Sequence, residues 1–90
     1  MVSLRFGGVR FVAYLNDHPP RHVHGFTGGV EVIVDLKSDR TVALANREGT
    51  IRPGNAKRSD VRKILRAAAE LFDELAALWE TIHGKTESGT

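Results

Sequence analysis

The feature that most constrains this chain is a change in hydrophobic period near Ser59. From there, apolar side chains recur every three or four residues, which places them on one face of an α-helix. These side chains are Val61, Ile64, Leu65, Ala68, Phe72, Leu75, Trp79 and Ile82. Gly84 follows them and suits a helix end, because glycine readily adopts the left-handed conformation. The pattern predicts one long C-terminal helix that ends after His83.

Before this helix, apolar and polar side chains alternate with period two, as they do in half-buried β-strands. The alternating runs lie at residues 2–6, 9–15, 30–36 and 41–45, and residues 50–51 add a short edge. Gly7 and Gly8 separate the first two runs and suit a tight hairpin turn. The chain is therefore predicted to be α+β: an antiparallel sheet of four to five strands, built from hairpins and packed against one long C-terminal helix.

The length of the chain limits it to one hydrophobic core, because 90 residues cannot stabilise two. We expect a single α+β domain over residues 1–84. Residues 85–90 carry no apolar side chain and are predicted to form a disordered tail.

The composition restricts the kinds of site the chain can contain and the compartment in which it is expected. Cysteine is absent, which excludes disulfides and thiolate metal sites. No apolar run approaches the roughly 20 residues that a membrane span needs. The formal net charge is only +2, so the chain has no strong global basic field. We expect a cytoplasmic protein that does not associate with membranes.

Three histidines crowd the segment NDHPPRHVHG, residues 16–25, whose prolines require extended or turned backbone. If this segment is extended, His22 and His24 lie on one side, with Cα atoms roughly 7 Å apart. Two neutral imidazoles can bind one ion, and His18 or Asp17 would add a third ligand and leave a position open. The spacing predicts a divalent transition-metal site, for Zn, Ni or Mn, at His18, His22 and His24.

The same segment has other interpretations. Histidines beside prolines often donate to a neighbouring carbonyl or pack against apolar groups without any ligand. His83, at the end of the helix, is suited to interact with the helix dipole, or it joins the histidine segment if the two pack together. The candidates for catalytic roles are Asp17, His18, His22, His24 and His83. Whether the protein is an enzyme is left open, and no cofactor is certain.

The start of the helix is basic and its second half is acidic, which opposes the helix dipole. The exposed cations are predicted to contact an anion or a partner, and they are Arg58, Arg62, Lys63 and Arg66. A nucleic-acid backbone or an acidic protein would fit this charge. The alternative is a solvated helix surface with pairs such as Arg66 and Glu70.

Two motifs resemble those of a known family. The stretch from Asn16 to His24 has the form N-D-H-x-P-x-H-x-H, and residues 79–84 have the form W-E-x-I-H-G. In this respect the chain is similar to the small bacterial domain-of-unknown-function family 4160, from about Phe6 to Gly84. The motif positions are Asn16, Asp17, His18, a proline of the Pro19-Pro20 pair, His22 and His24, with Trp79, Glu80 and His83 from the ending.

The resemblance implies a gene that often forms one half of a two-gene, toxin–antitoxin-like module. We therefore expect a small binding module whose histidine segment and basic helix start contact a small cognate protein, a second copy of the chain or nucleic acid. The alternative is a metal- or histidine-dependent hydrolase or nuclease that uses the H-x3-H-x-H segment.

Overall fold

Six β-strands and two α-helices form the part of the chain that the computed structural model describes, residues 2–84. The strands are β1 (Val2–Phe6), β2 (Val9–Ala13), β3 (His22–Thr27), β4 (Val30–Leu36), β5 (Val42–Leu44) and β6 (Ile51–Arg52). The helices are α1 (Arg58–Glu70) and α2 (Phe72–His83). The predicted tail, residues 85–90, lies outside the described residues.

The strands form one antiparallel sheet in the order β1-β2-β3-β4-β5. β5 pairs with the second half of β4, and β6 pairs with its first half, at Glu31 and Val32. Gly7 and Gly8 have φ values of 57° and 82°, as a two-residue turn between β1 and β2 requires. The predicted α+β class and antiparallel hairpins are confirmed. The sheet also includes β3, where the sequence predicts only an extended or turned segment.

The prediction of a single long helix is wrong, because the helical region divides at Leu71. Leu71 has φ −102° and ψ 21°, outside the α-helical range, although the hydrogen bonds from its N–H to Ala67 and from Leu75 to its carbonyl continue. The division lets α1 pack mainly on β3, β4 and β5 while α2 reaches β1 and β2. Together the two helices cover the sheet from β1 to β5. Neither of them, within residues 2–84, has the length and apolar character that a membrane crossing requires.

The core lies between the helices and one face of the sheet. Phe11, Val23, Val32 and Ile64 are fully buried there, and each such side chain contributes about 1.5–3 kcal/mol through burial. Gly25 marks the closest approach, because a Cβ at this position would lie 2.5 Å from Ile64 Cγ2. Residues alternate along β3, so His22 and His24 lie on the face opposite to Val23 and Gly25.

Candidate metal centre

Two structural elements bring the site together: the start of β3 and the turn that precedes it. His22 and His24 lie two residues apart in β3 and therefore on one face of the sheet, as their spacing predicted. Asp17 comes from a turn in which its own N–H donates to Tyr14 O at 3.1 Å. The N–H of Tyr14 donates in return to Asp17 Oδ2 at 3.2 Å, which holds the carboxylate in place.

The three side chains converge on a small volume. Asp17 Oδ2 lies 3.5 Å from His22 Nε2 and 3.4 Å from His24 Nε2. One ligand atom of each residue lies within 4.8 Å of the other two. Tetrahedral ligands on 2.1 Å bonds are about 3.4 Å apart, which is close to the two separations from Asp17 Oδ2. Two histidines and one carboxylate are a donor set that Zn and non-haem Fe sites use.

The other ring nitrogen of each histidine is already engaged. His22 Nδ1 lies 2.9 Å from Pro20 O, and His24 Nδ1 lies 3.0 Å from Glu31 Oε2. A carbonyl and a carboxylate only accept hydrogen bonds, so both Nδ1 atoms carry a proton. In neutral imidazoles, each Nε2 then has a lone pair, and Asp17 Oδ2 lies within 3.5 Å of both atoms. Metal-binding histidines have this arrangement, with the second nitrogen donating to a carbonyl or carboxylate.

The cluster is shielded from water. The side chains of His22, His24 and Asp17 are only 4%, 12% and 15% exposed. The Tyr14 ring packs edge-on against His24 at a centroid distance of 4.9 Å, and the Trp79 ring lies 5.3 Å from that of His22. Within this enclosure His24 Nε2 is buried, and no group among residues 2–84 forms a hydrogen bond with it. Such an orphaned polar atom costs about 1–3 kcal/mol, which a ligand on that atom would offset.

The structure does not bring His18 or His83 into the group of ligand atoms. Asp17 turns into the cluster, while the next residue, His18, is exposed on the wall of a neighbouring cleft. His83 stacks on Trp79 at 3.8 Å, and its Nε2 lies 3.0 Å from the carbonyl of Tyr14, to which it donates. His83 therefore fixes the end of α2 to the turn that carries Asp17.

Two residues of the site were missed in the sequence. Glu31 lies in β4 diagonally across from His24, because the register pairs His24 with Ile33. The position of Glu31 beside His24 could have been predicted from the alternation of the strands and the turn at Gly28-Gly29. Arg47, in the loop after β5, places Nη2 3.5 Å from His22 Nε2. No periodicity in the sequence marks that loop position.

The basic residues of α1 lie away from the metal cluster. Arg58, Arg62, Lys63 and Arg66 are all exposed, and within residues 2–84 none of them forms an ion pair. The suggested pair of Arg66 with Glu70 is therefore not formed. Arg62, Lys63 and Arg66 line a groove of about 630 Å³ beside the β1–β2 turn, together with Phe6 and Val9.

Neither the curated proteins nor the solved structures contain a significant match to this chain. The family comparison does give one, and it covers every residue of the cluster described above, together with Glu31 and Arg47. His83 lies just beyond it. Residues 8–80 match the family described as Domain of unknown function (DUF4160), and the chain belongs to that family.

Proposed function

We propose that the protein binds a divalent transition metal at Asp17, His22 and His24. The observation that carries this proposal is the buried Nε2 of His24, which lies 3.4 Å from Asp17 Oδ2 and has no hydrogen-bond partner in the described part of the chain. The large majority of buried side-chain nitrogens in folded proteins have a hydrogen-bond partner, so this atom calls for a ligand. Two imidazoles among three ligands favour Zn²⁺ or Ni²⁺ over Mn²⁺, which prefers oxygen.

A metal-free alternative has the same geometry. If His24 were protonated, its Nε2–H would face Asp17 and its Nδ1–H would face Glu31, giving an imidazolium between two carboxylates. The distances favour the metal, because 3.4 and 3.5 Å are too long for charge-assisted hydrogen bonds, which are typically 2.7–2.9 Å. These separations suit ligands that share an ion instead of a proton.

The chemistry proposed for this centre is hydrolysis. Three protein ligands leave coordination positions open, as in catalytic sites, and a bound ion there would polarise a substrate oxygen and acidify a coordinated water. The protein's own groups orient the ligands: Glu31 and the Pro20 carbonyl fix the two rings, and the Tyr14 N–H fixes the carboxylate. The cleft beside His22 and Asp17 provides access.

The experiment is a titration of metal-stripped protein with Zn²⁺ and Ni²⁺ by calorimetry. We expect one ion per chain, with binding lost or weakened at least 100-fold in His22→Ala and His24→Ala. His18→Ala, which changes an exposed histidine outside the group of ligand atoms, is the matched control and should bind as the wild type does. Equal weakening in His18→Ala, or no binding to the wild type, would refute the metal centre. Hydrolysis of bis(p-nitrophenyl) phosphate and of p-nitrophenyl acetate by loaded protein then tests the chemistry.

A second candidate function is partner binding through the groove between α1 and the β1–β2 turn. Phe6 is 43% exposed there, beside the unpaired cations Arg62 and Lys63. An apolar contact bordered by positive charge is suited to an acidic segment with interspersed apolar residues. We infer that a cognate protein carrying such a segment docks here, as one half of a toxin–antitoxin-like or regulatory pair.

This second candidate can be tested with a fluorescent peptide of alternating Glu and Leu. Binding should weaken with added salt and be lost in an Arg62→Glu, Lys63→Glu double variant, whereas an Arg40→Glu control should bind normally. Phe6→Ser should weaken binding without changing its salt dependence. Failure of the peptide to bind, or displacement by a single-stranded oligonucleotide with higher affinity, would exclude an acidic protein segment as the preferred ligand.

A further inference from the structure

A cleft of about 420 Å³ opens directly beside the proposed metal centre. Its polar lining is mixed in charge and includes Asn16, Asp17, His22, Asp35, Asn46 and Arg47. Asp17 and His22 are thus shared between the cleft and the cluster. A molecule in the cleft would lie next to the open side of a metal bound at that cluster.

Arg47 lines this cleft, as His18 and Asp35 do, without being a ligand of the proposed metal centre. It is exposed, and within residues 2–84 no carboxylate lies within ion-pair distance of it. Its guanidinium instead points Nη2 at His22 Nε2, at 3.5 Å. A metal would bind through the lone pair of His22 Nε2. Arg47 and the metal therefore compete for the same nitrogen atom. When the metal binds, the guanidinium is left beside it without an acceptor.

The charge of the cleft then changes sign. Without metal, the carboxylates of Asp17 and Asp35 outweigh the single positive charge of Arg47. A divalent ion on Asp17 and His22 reverses this balance and places two cations side by side. Cations so close repel each other unless an anion lies between them. An oxyanion with at least two oxygens satisfies both, because a guanidinium donates two parallel hydrogen bonds and the metal accepts a lone pair.

Building on the proposed metal centre, we propose that the cleft binds an oxyanion, a phosphoryl or carboxylate group, between the metal and Arg47. The substrate class of the site is therefore an acidic small molecule or ester with such a group. The anion binds only to metal-loaded protein, and by linkage it tightens metal binding by the same factor that the metal tightens anion binding. Arg47 acts here as a binding residue for the anion.

The test titrates Ni²⁺ alone, with methyl phosphate and with acetate, read through quenching of Trp79, the only tryptophan, 5.3 Å from the His22 ring. We expect one of the anions to lower the apparent Kd for Ni²⁺ about tenfold. Arg47→Ala should abolish this effect while binding Ni²⁺ alone at least as tightly as the wild type. Arg47→Lys should retain part of the effect, and Arg5→Ala, which changes an exposed arginine on β1, should retain all of it.

Each outcome is informative. An effect of methyl phosphate identifies a phosphoryl ligand, and broadening of its ³¹P resonance by Ni²⁺-loaded protein would locate it at the metal. An effect of acetate alone identifies a carboxylate. Normal Ni²⁺ binding that neither anion changes, or an anion effect that survives in Arg47→Ala, overturns the oxyanion subsite and leaves the metal centre intact. Absence of Ni²⁺ binding under every condition overturns the metal centre itself.

Discussion

The contact between Glu31 and His24 allows a quantitative prediction for metal affinity. Glu31 Oε2 accepts a hydrogen bond from His24 Nδ1 at 3.0 Å, and this bond directs Nε2 toward Asp17. Loss of such an outer partner typically weakens metal binding 10–100-fold, or about 1.4–2.7 kcal/mol. The Glu31 side chain is 24% exposed, so solvent screens part of its charge. We therefore expect about tenfold for Glu31→Gln, which keeps an acceptor oxygen, and up to about 100-fold for Glu31→Ala.

The assay is a competition titration of Ni²⁺ against a chelator, read through the fluorescence of Trp79. Glu70→Gln, which removes a carboxylate from the exposed surface of α1, is the charge-matched control and should leave the Kd unchanged. Urea unfolding of each variant verifies that the chain remains folded. The reasoning would be refuted if Glu31→Ala bound Ni²⁺ as tightly as the wild type, or if Glu70→Gln lost as much affinity.

Three further predictions concern packing and pH. Gly25→Ala drives a Cβ to within 2.5 Å of Ile64 Cγ2 and should lower the free energy of unfolding in urea by about 1–3 kcal/mol, whereas Gly29→Ala, with open space around it, should change it by less than about 0.5 kcal/mol. The hydrogen bonds from the hydroxyl and N–H of Thr41 lower the pKa of Asp39 below 3.8, so Thr41→Val should raise it in an NMR titration. The stability that this depressed pKa contributes is present above the unfolded-state pKa and is lost as pH falls through the folded-state pKa. Metal affinity should also fall in calorimetric titrations at acidic pH, because protons compete for the imidazole nitrogens, and an affinity independent of pH would contradict histidine ligation.

Much of the site follows from local sequence patterns. The H-x-H spacing on extended backbone placed His22 and His24 on one face, and the structure has them there. Recognition of β3 as a strand would have added Glu31, since a two-residue turn at Gly28-Gly29 sets the register that pairs Thr27 with Val30. Whether Asp17 or His18 joins His22 and His24 in the cluster depends on the geometry of the turn at Tyr14, which the motif does not predict.

Other features depend on tertiary packing. No glycine or proline lies between Arg58 and His83, so nothing in the local sequence marks the division at Leu71. Arg47 reaches His22 across 25 residues of sequence through a loop without periodicity. The position of His83 against the Tyr14 carbonyl depends in the same way on how α2 packs on the sheet.

The most direct test of the metal centre is to record which histidine nitrogens respond to Zn²⁺, by long-range ¹H–¹⁵N NMR of the four imidazole rings. Before metal is added, His22 and His24 should both carry a proton on Nδ1, because each of these atoms faces an acceptor oxygen. Addition of one equivalent of Zn²⁺ should shift the Nε2 resonances of these two rings and leave those of His18 and His83 unchanged. A doubly protonated His24 that does not respond to Zn²⁺, or a shift centred on His18, would contradict the account.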